Sequence, residues 1–364
     1  HAELADGKRE GRIVPPIYRT CLIGCGRMGA TIDDEIRGHP HRTPTLPWAH
    51  AAGVGACDRT ELVAVSDIDA DKAEAIRARY GASTAYTDYR EMIERERPDI
   101  VCIATRPATH CEMTVFAAES GVRGIYCEKP LACSMREADL MVDAVKSHGV
   151  KFNYGTNRRF SPLFRQMRAI VDSGGIGDVQ CVAAYCGTGS AQWWHTHAAD
   201  VFLNLAGDGP VRSAQGSILA DDSAWDALHL QTDPGIEMGF VTFENGVRAY
   251  WTAAAGYEFE VTGTLGKLRT LDDYNTCQWR VRTEPWGIME EREFPHVPDE
   301  SATVNLLQDI ATALDVDGET EGNIELARRS QEIIFGVIDS ARLGGTRVDF
   351  PMVNRDLRVS RDNW

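Results

Sequence analysis

Residues 18–33 read YRTCLIGCGRMGATID, an apolar run that ends in Gly24, Gly26 and Gly29, spaced G-x-G-x-x-G. Glycines at that spacing, between a strand and a helix, are what a dinucleotide phosphate requires. The first allows the tight turn, the second lets the backbone approach the pyrophosphate, and the third lets helix and strand pack closely. The helix N-terminus then faces the phosphates. Asp67 closes ELVAVSD (61–67), where a carboxylate can accept hydrogen bonds from ribose hydroxyls and repel a 2′-phosphate. The expected cofactor is therefore NAD, with NADP disfavoured. Lys129, in CEKPLA (127–132), falls where a fifth strand would end. A lysine on that edge of a parallel sheet can hydrogen-bond a substrate hydroxyl and carry its proton, and partial burial lowers its pKa toward the working range.

The elements that must position these groups alternate. Strands are expected at RTCLIG, ELVAVSD, STAYTD, DIVCIAT, GIYCEKP and KFNYGT, with helical spacing between them at 69–81, 89–97, 108–121 and from Ser134. Such alternation implies a parallel, doubly wound sheet. Ser134 and Glu137 form a capping box, and Ser161-Pro162 opens a further helix. From about residue 178 the pattern becomes β-rich, with hairpin turns at Glu244-Asn245-Gly246 and Thr264-Leu265-Gly266. Two helices, 301–315 and 324–343, and a strand at RVDFP close the chain. The fold class is thus α/β: an N-terminal Rossmann domain over 18–150, and a C-terminal α/β domain over 151–364 with a large, open, mostly antiparallel sheet. Its last segment is able to pack back on the first domain, and the polar residues 1–17 are expected to be a disordered tail.

One spacing departs from the fingerprint. The acid usually follows the glycines by about 20 residues, but Gly29 and Asp67 are 38 apart. The extra residues lie in TIDDEIRGHPHRTPTLPW (31–48), either a surface loop or a lid over the substrate.

Composition narrows the partners. The 364 residues carry a formal net charge of −16, which disfavours nucleic acid, and no apolar run reaches the roughly 20 residues of a membrane span. The ten cysteines form no CxxC pair and several lie in apolar runs, so reduced thiols and a cytoplasmic location are expected. His195, His197 and Asp200 in WWHTHAAD could suggest a metal, but the segment reads as helix, where positions i and i+2 diverge; no metal is expected.

In order, GCGRMG, AVSD, IAT with His110 five residues on, EKPLA, N-x-R-F-S-P (157–162) and SGGIGDV (173–179) resemble the Gfo/Idh/MocA family of oxidoreductases. The resemblance runs from about residue 18 to the closing NRDLRV. It implies NAD(P)-dependent chemistry on sugars, cyclitols and related polyhydroxylated small molecules, and homodimers or homotetramers built through the open sheet. It implies cofactor contacts at Gly24, Gly26, Arg27, Met28, Gly29, Asp67, Thr105, His110 and Glu128. Lys129 takes the place of the family's EKP lysine. In the family motif D-x-x-x-H-x-x-D, His197 takes the acid/base position and Asp200 the last. Trp193 stands where the first, assisting aspartate would be, so His195 or a carboxylate of the insertion (Asp33, Asp34 or Glu35) would have to assist. Asn157, Arg158, Trp193, Trp194, His195 and Asp200 are the expected substrate-side residues, with Tyr154 a further stacking candidate. Two other functions stay open: NAD-dependent, redox-neutral glycoside cleavage by transient oxidation and elimination, and a non-catalytic NAD-binding sensor or scaffold.

Overall fold

The computed structural model describes residues 15–38, 45–272, 275–284, 286–361 and 364. Most of the expected tail and residues 39–44 of the insertion lie outside the described residues. Six parallel strands, β1 (Tyr18–Ile23), β2 (Thr60–Ser66), β3 (Thr84–Tyr86), β4 (Ile100–Ile103), β5 (Gly124–Cys127) and β6 (Lys151–Tyr154), form one sheet in the order β3-β2-β1-β4-β5-β6. Strand order reverses between β1 and β4, so the carboxyl ends of these strands open a crevice at the glycine turn. The sheet takes in residues 151–154, past the expected boundary at 150.

The helices are set by caps as much as by apolar spacing. Asp69 accepts the Lys72 N–H at the start of α3 (Ala70–Tyr80), and Asp88 accepts the Arg90 N–H before α4 (Tyr89–Glu96). Proline opens α5 (Pro107–Glu119). Ser134 Oγ accepts the Glu137 N–H at the start of α6 (Met135–Ser147), and the Glu137 carboxylate reaches back to the Cys133 N–H at 2.8 Å. The insertion is more structured than a plain loop. A wide π-helical turn over Arg27–Thr31 runs into α1 (Ile32–Arg37), and α2 (His50–Ala56) follows residue 49. Asp33 Oδ1 ties the two, accepting the Trp48 and Ala49 N–H groups at 2.8 and 3.0 Å.

After α7 (Pro162–Asp172), β7 (Val179–Tyr185), α8 (Thr196–Ala206) and β8 (Val211–Leu219) begin the second sheet. Two short strands, β9 (Trp225–Asp226) and β10 (His229–Leu230), precede β11 (Gly235–Phe243), β12 (Arg248–Thr252), β13 (Glu258–Gly263), β14 (Gly266–Leu271), β15 (Thr276–Val281) and β16 (Glu290–Arg292). The chain closes with α9 (Ala302–Val316), α10 (Ile324–Arg342), β17 (Val348–Asp349) and β18 (Arg358–Val359). Nine strands pair in the order β16-β15-β14-β13-β7-β12-β11-β8-β17. All of these pairs are antiparallel except β7 with β12. Helix α10 packs along β8 on the inner face. Among the described residues no helix is long and apolar enough to cross a membrane.

Helix α9 returns to the first sheet. Leu306, Leu307, Ile310 and Ala311 share one buried cluster with Tyr18, Leu22, Ile100 and Tyr126. Asp315 clamps its end, accepting from Tyr18 Oη at 2.7 Å and from the Arg59 guanidinium.

Candidate active site

The glycine turn sits at the carboxyl end of β1. Gly24 has φ +94°, and a Cβ there would lie 2.6 Å from Ala104 O at the end of β4. A Cβ on Gly29 would collide with the Gly24 carbonyl, so helix and strand could not close. A Cβ on Gly26 would meet nothing within 4 Å: that face is open, and no side chain caps the turn that follows. Asp67 stands at the end of β2 with both oxygens engaged. Oδ2 accepts the Cys25 N–H at 2.9 Å and Oδ1 the Asp69 N–H at 3.0 Å. The carboxylate therefore shapes the turn, and each oxygen keeps a lone pair for a further donor. Beside it Ile68 is 95% exposed, an apolar surface on the same rim. An open glycine face, an uncapped turn and a fixed carboxylate fit a dinucleotide.

The other cofactor-side residues are placed unequally. Arg27 is exposed and paired with Glu35 at 2.8 Å. Met28 packs against the small cluster of Ile32, Ile36 and Ala49. Thr105, just past β4, bonds Thr109 Oγ1 at 2.9 Å. His110 lies fully buried on α5, and its Nδ1–H donates to Pro130 O at 2.8 Å, which anchors the loop bearing Lys129. Glu128 is buried too. Oε1 accepts from His50 Nε2 at 3.0 Å and Oε2 accepts the Lys129 N–H at 3.1 Å. Burial raises the Glu128 pKa, but the His50 hydrogen bond and the His50 and Lys129 charges hold it below the usual carboxylate range. His50 in turn stacks on Tyr126, with ring centres 3.8 Å apart.

Lys129 is 9% exposed. Its Nζ donates to Trp193 O at 3.0 Å and lies 4.1 Å from the centre of the Trp193 ring. Burial lowers its pKa to about 8; Glu128 and Asp233 oppose the shift, and Arg158 and Arg27 add to it. His197, at the start of α8, is partly exposed, with Nδ1 buried and unbonded. Burial first, then the charges of Arg158 and Lys129, hold its imidazole neutral, with a pKa well below the ordinary value. No carboxylate contributes to that shift. The inserted carboxylates are engaged elsewhere: Asp33 on the backbone of residues 48–49, Asp34 on Arg79, Glu35 on Arg27.

Of the substrate-side residues, Arg158 and Trp193 face Lys129. The Arg158 guanidinium lies 4.3 Å over the Tyr257 ring. Trp194 is partly exposed, edge-on to Tyr257, with its indole N–H on Cys186 O. Asn157 Nδ2 reaches Thr303 Oγ1 at 3.5 Å, and its Oδ1 is buried and unbonded. His195 is fully buried, with burial taking its pKa to about 4. Asp200 is buried in an ion pair with Arg159 at 2.9 Å, and Tyr154 is buried as well. These three are placed beneath the cleft and not along it. Among the described residues no cluster of three or more His, Cys, Asp or Glu side chains could hold a metal.

Two site residues carry no motif in the sequence. His50 reaches Glu128 from the start of α2, just past the insertion. Asp233, in the Thr-Asp-Pro-Gly stretch that leads into β11, accepts the Gln192 and Trp193 N–H groups at 2.8 and 2.9 Å and so fixes the segment that receives Lys129.

Residues 18–156 match the GFO_IDH_MocA family model, described as "Oxidoreductase family, NAD-binding Rossmann fold". The chain is 31% identical over 159 residues to the myo-inositol 2-dehydrogenase of Thermotoga maritima, covering 44% of this chain and 42% of that protein. It is 30% identical over 270 residues to an inositol 2-dehydrogenase of Rhizobium meliloti, covering 68% and 73%. The match thus spans about two fifths of the length of the first of these. A solved levoglucosan dehydrogenase, in complex with NADH and levoglucosan, superposes with a TM-score of 0.73 at 18% identity, covering 92% of this chain and all of that one. At that identity the superposition shows a shared fold.

Proposed function

Since the chain belongs to the Gfo/Idh/MocA family of oxidoreductases, we propose that it is an NAD-dependent dehydrogenase. It transfers hydride between nicotinamide and a sugar, cyclitol or related polyhydroxylated substrate, with Lys129 and His197 as proton-transfer groups. The observation that carries the reading is Lys129, a nearly buried amine on the crevice edge of the parallel sheet, with its pKa brought to about 8. The inositol and levoglucosan dehydrogenases among the chain's relatives support the substrate class.

Bound NAD supplies the hydride acceptor; the chain's own residues bind, orient and move protons. The turn Gly24–Gly29 would hold the pyrophosphate and Asp67 the ribose hydroxyls. Lys129 Nζ, aimed by Trp193 O, would bond the reacting hydroxyl and take its proton as the neutral amine. His197, neutral at working pH, would accept a proton or steer that hydroxyl. Glu128, clamped by His50, fixes the Lys129 backbone and stays ionised beside the ammonium. Self-association as a dimer or tetramer would run through the nine-stranded sheet, whose outer face leaves Met238 and Tyr250 exposed.

The test is NADH absorbance with NAD and a panel of aldoses, inositols, sugar acids and glycosides. NADH formation is the expected result. Trp193 in the place of the assisting aspartate favours the redox-neutral glycoside reading, which predicts NAD-dependent glycoside loss with no NADH. NAD binding with neither outcome would leave an oxo-sugar reductase, a substrate outside the panel, or the sensor or scaffold, in that order.

Asp67→Asn keeps an acceptor for the turn and removes the charge. The NAD-over-NADP ratio of kcat/KM should fall at least about tenfold. An unchanged ratio would mean that the carboxylate serves only the backbone of the turn.

A further inference from the structure

The cleft around Trp193 is positively charged in a chain whose formal net charge is −16. Lys129 Nζ lies 4.1 Å from the centre of the Trp193 ring, and the guanidinium carbons of Arg106 and Arg361 lie 5.8 and 6.0 Å from the same point. Arg158 adds a fourth charge, felt by both Lys129 and His197. Two carboxylates reach this group, and both already have partners: Glu128 on His50 and the Lys129 N–H, Asp233 on two backbone N–H groups. Arg106 and Arg361 make no ion pair with any described residue, and Arg361 Nε is buried without a partner.

Like charges gathered in a cleft repel, and the chain has acids to spare, 54 against 38 bases. Arginines elsewhere take them: Arg27 with Glu35, Arg79 with Asp34, Arg212 with Glu244. Arg361 is delivered by construction. Strand β18 pairs in parallel with β10, and the Val359 N–H donates to Cys133 O, just past the Lys129 loop. Cation–π attraction holds Arg106 near the Trp193 ring, at 5.8 Å, and Arg361 near both the Trp193 and Trp364 rings, at 6.0 and 5.2 Å, and rings leave guanidinium N–H groups for a ligand.

We propose that the substrate carries a carboxylate: it is a sugar acid, an aldonate, uronate or carboxylated cyclitol. Arg361 and Arg106 bind the carboxylate while a carbinol carbon faces Lys129. The inference rests on the dehydrogenase reading and names its substrate class. Hydride leaves the carbinol carbon for nicotinamide, the hydroxyl proton goes to Lys129, and the carboxylate is unchanged.

Calorimetric titration of the NADH-loaded protein with D-gluconate and D-glucuronate, beside D-glucitol and D-glucose, tests it. At least one acid should bind about tenfold or more tightly than its neutral counterpart, as a charge-assisted hydrogen bond to arginine provides. That advantage should shrink with added salt and fall about tenfold in Arg361→Gln. Arg361→Lys should restore part of it. Arg106→Gln, at an exposed position, repeats the test without a folding cost. Equal binding of acid and neutral partners, no binding by either acid, or an acid advantage unchanged in both glutamine variants would overturn the proposal. NADH formed from neutral sugars alone would overturn it and leave the dehydrogenase standing. Acid binding with no NADH from any substrate would uphold the anion site and sink the dehydrogenase.

Discussion

Lys129→Ala is expected to lower kcat by about 10²–10⁴-fold, the span attributed to a positioned general acid or base, while NADH still binds. The glycine turn and Asp67 are built on β1 and β2, so removing an amine at the end of β5 leaves them intact. The wild-type pH profile should carry the same group. Burial is the largest cause of the lowered pKa, about 8. Oxidation needs the neutral amine, so its rate should rise as pH climbs through about 8 and then level, while reduction should fall over the same window. Lys129→Ala should flatten both limbs. The sign for folding runs the same way. Between about 8 and the ordinary 10.5 the unfolded chain holds this proton and the folded one does not, so stability rises with pH across that window. Turnover in Lys129→Ala equal to wild type would remove the lysine from the mechanism.

Arg159→Met should destabilise the fold by about 3–5 kcal/mol, the cost of leaving a buried charge uncompensated. The guanidinium is 4% exposed and bonds Asp200 Oδ1 twice, at 2.9 and 3.1 Å, and Asp208 twice. Asp208 keeps Arg168 when Arg159 is lost, but no second ion pair is described for Asp200. Burial already raises the Asp200 pKa against the pull of Arg159, so the orphaned carboxyl would protonate or open the site. The double variant Arg159→Met, Asp200→Leu should recover most of the loss. Thermal or denaturant unfolding reads both. A loss under about 1 kcal/mol in the single variant would show the pair to be dispensable. This separates the two ends of the His197–Asp200 motif, with the histidine at the cleft and the aspartate holding the floor beneath it.

The Rossmann half was legible because its signals are local. Apolar runs mark β1 to β6, Asp69, Asp88 and Ser134 mark helix starts, and Gly24 and Gly29 are forced by contacts a Cβ would break. Lys129 was legible for the same reason, as a polar group at the end of a buried run. What escaped depends on partners far along the chain. The sequence allows the C-terminal segment to pack back on the first domain, but its apolar pattern does not single out α9 as the cover for a sheet formed some 180 residues earlier. β7 and β12 read as strands, yet their parallel pairing is set by three-dimensional order and not by period. The insertion 31–48 reads in sequence as a surface loop or a lid. Only the folded chain shows that Asp33 caps the far side of the insertion, or that α2 brings His50 onto Glu128. Arg361 looks like tail composition until β18 pins it beside Trp193.

The return of α9 bears on how the protein is made. Tyr18, Leu22, Ile100 and Tyr126 are covered by residues 306–311, so a ribosome that has finished the six parallel strands has not finished their core. At about 5–20 residues per second, roughly 150 more residues take on the order of ten to thirty seconds. Through that interval the nascent domain presents a bare apolar flank, and β8 to β16 emerge beside it. The sheet that reads first in the sequence is thus completed almost last, and a chain stopped before residue 302 would leave its nucleotide-binding half open to chaperones and proteases.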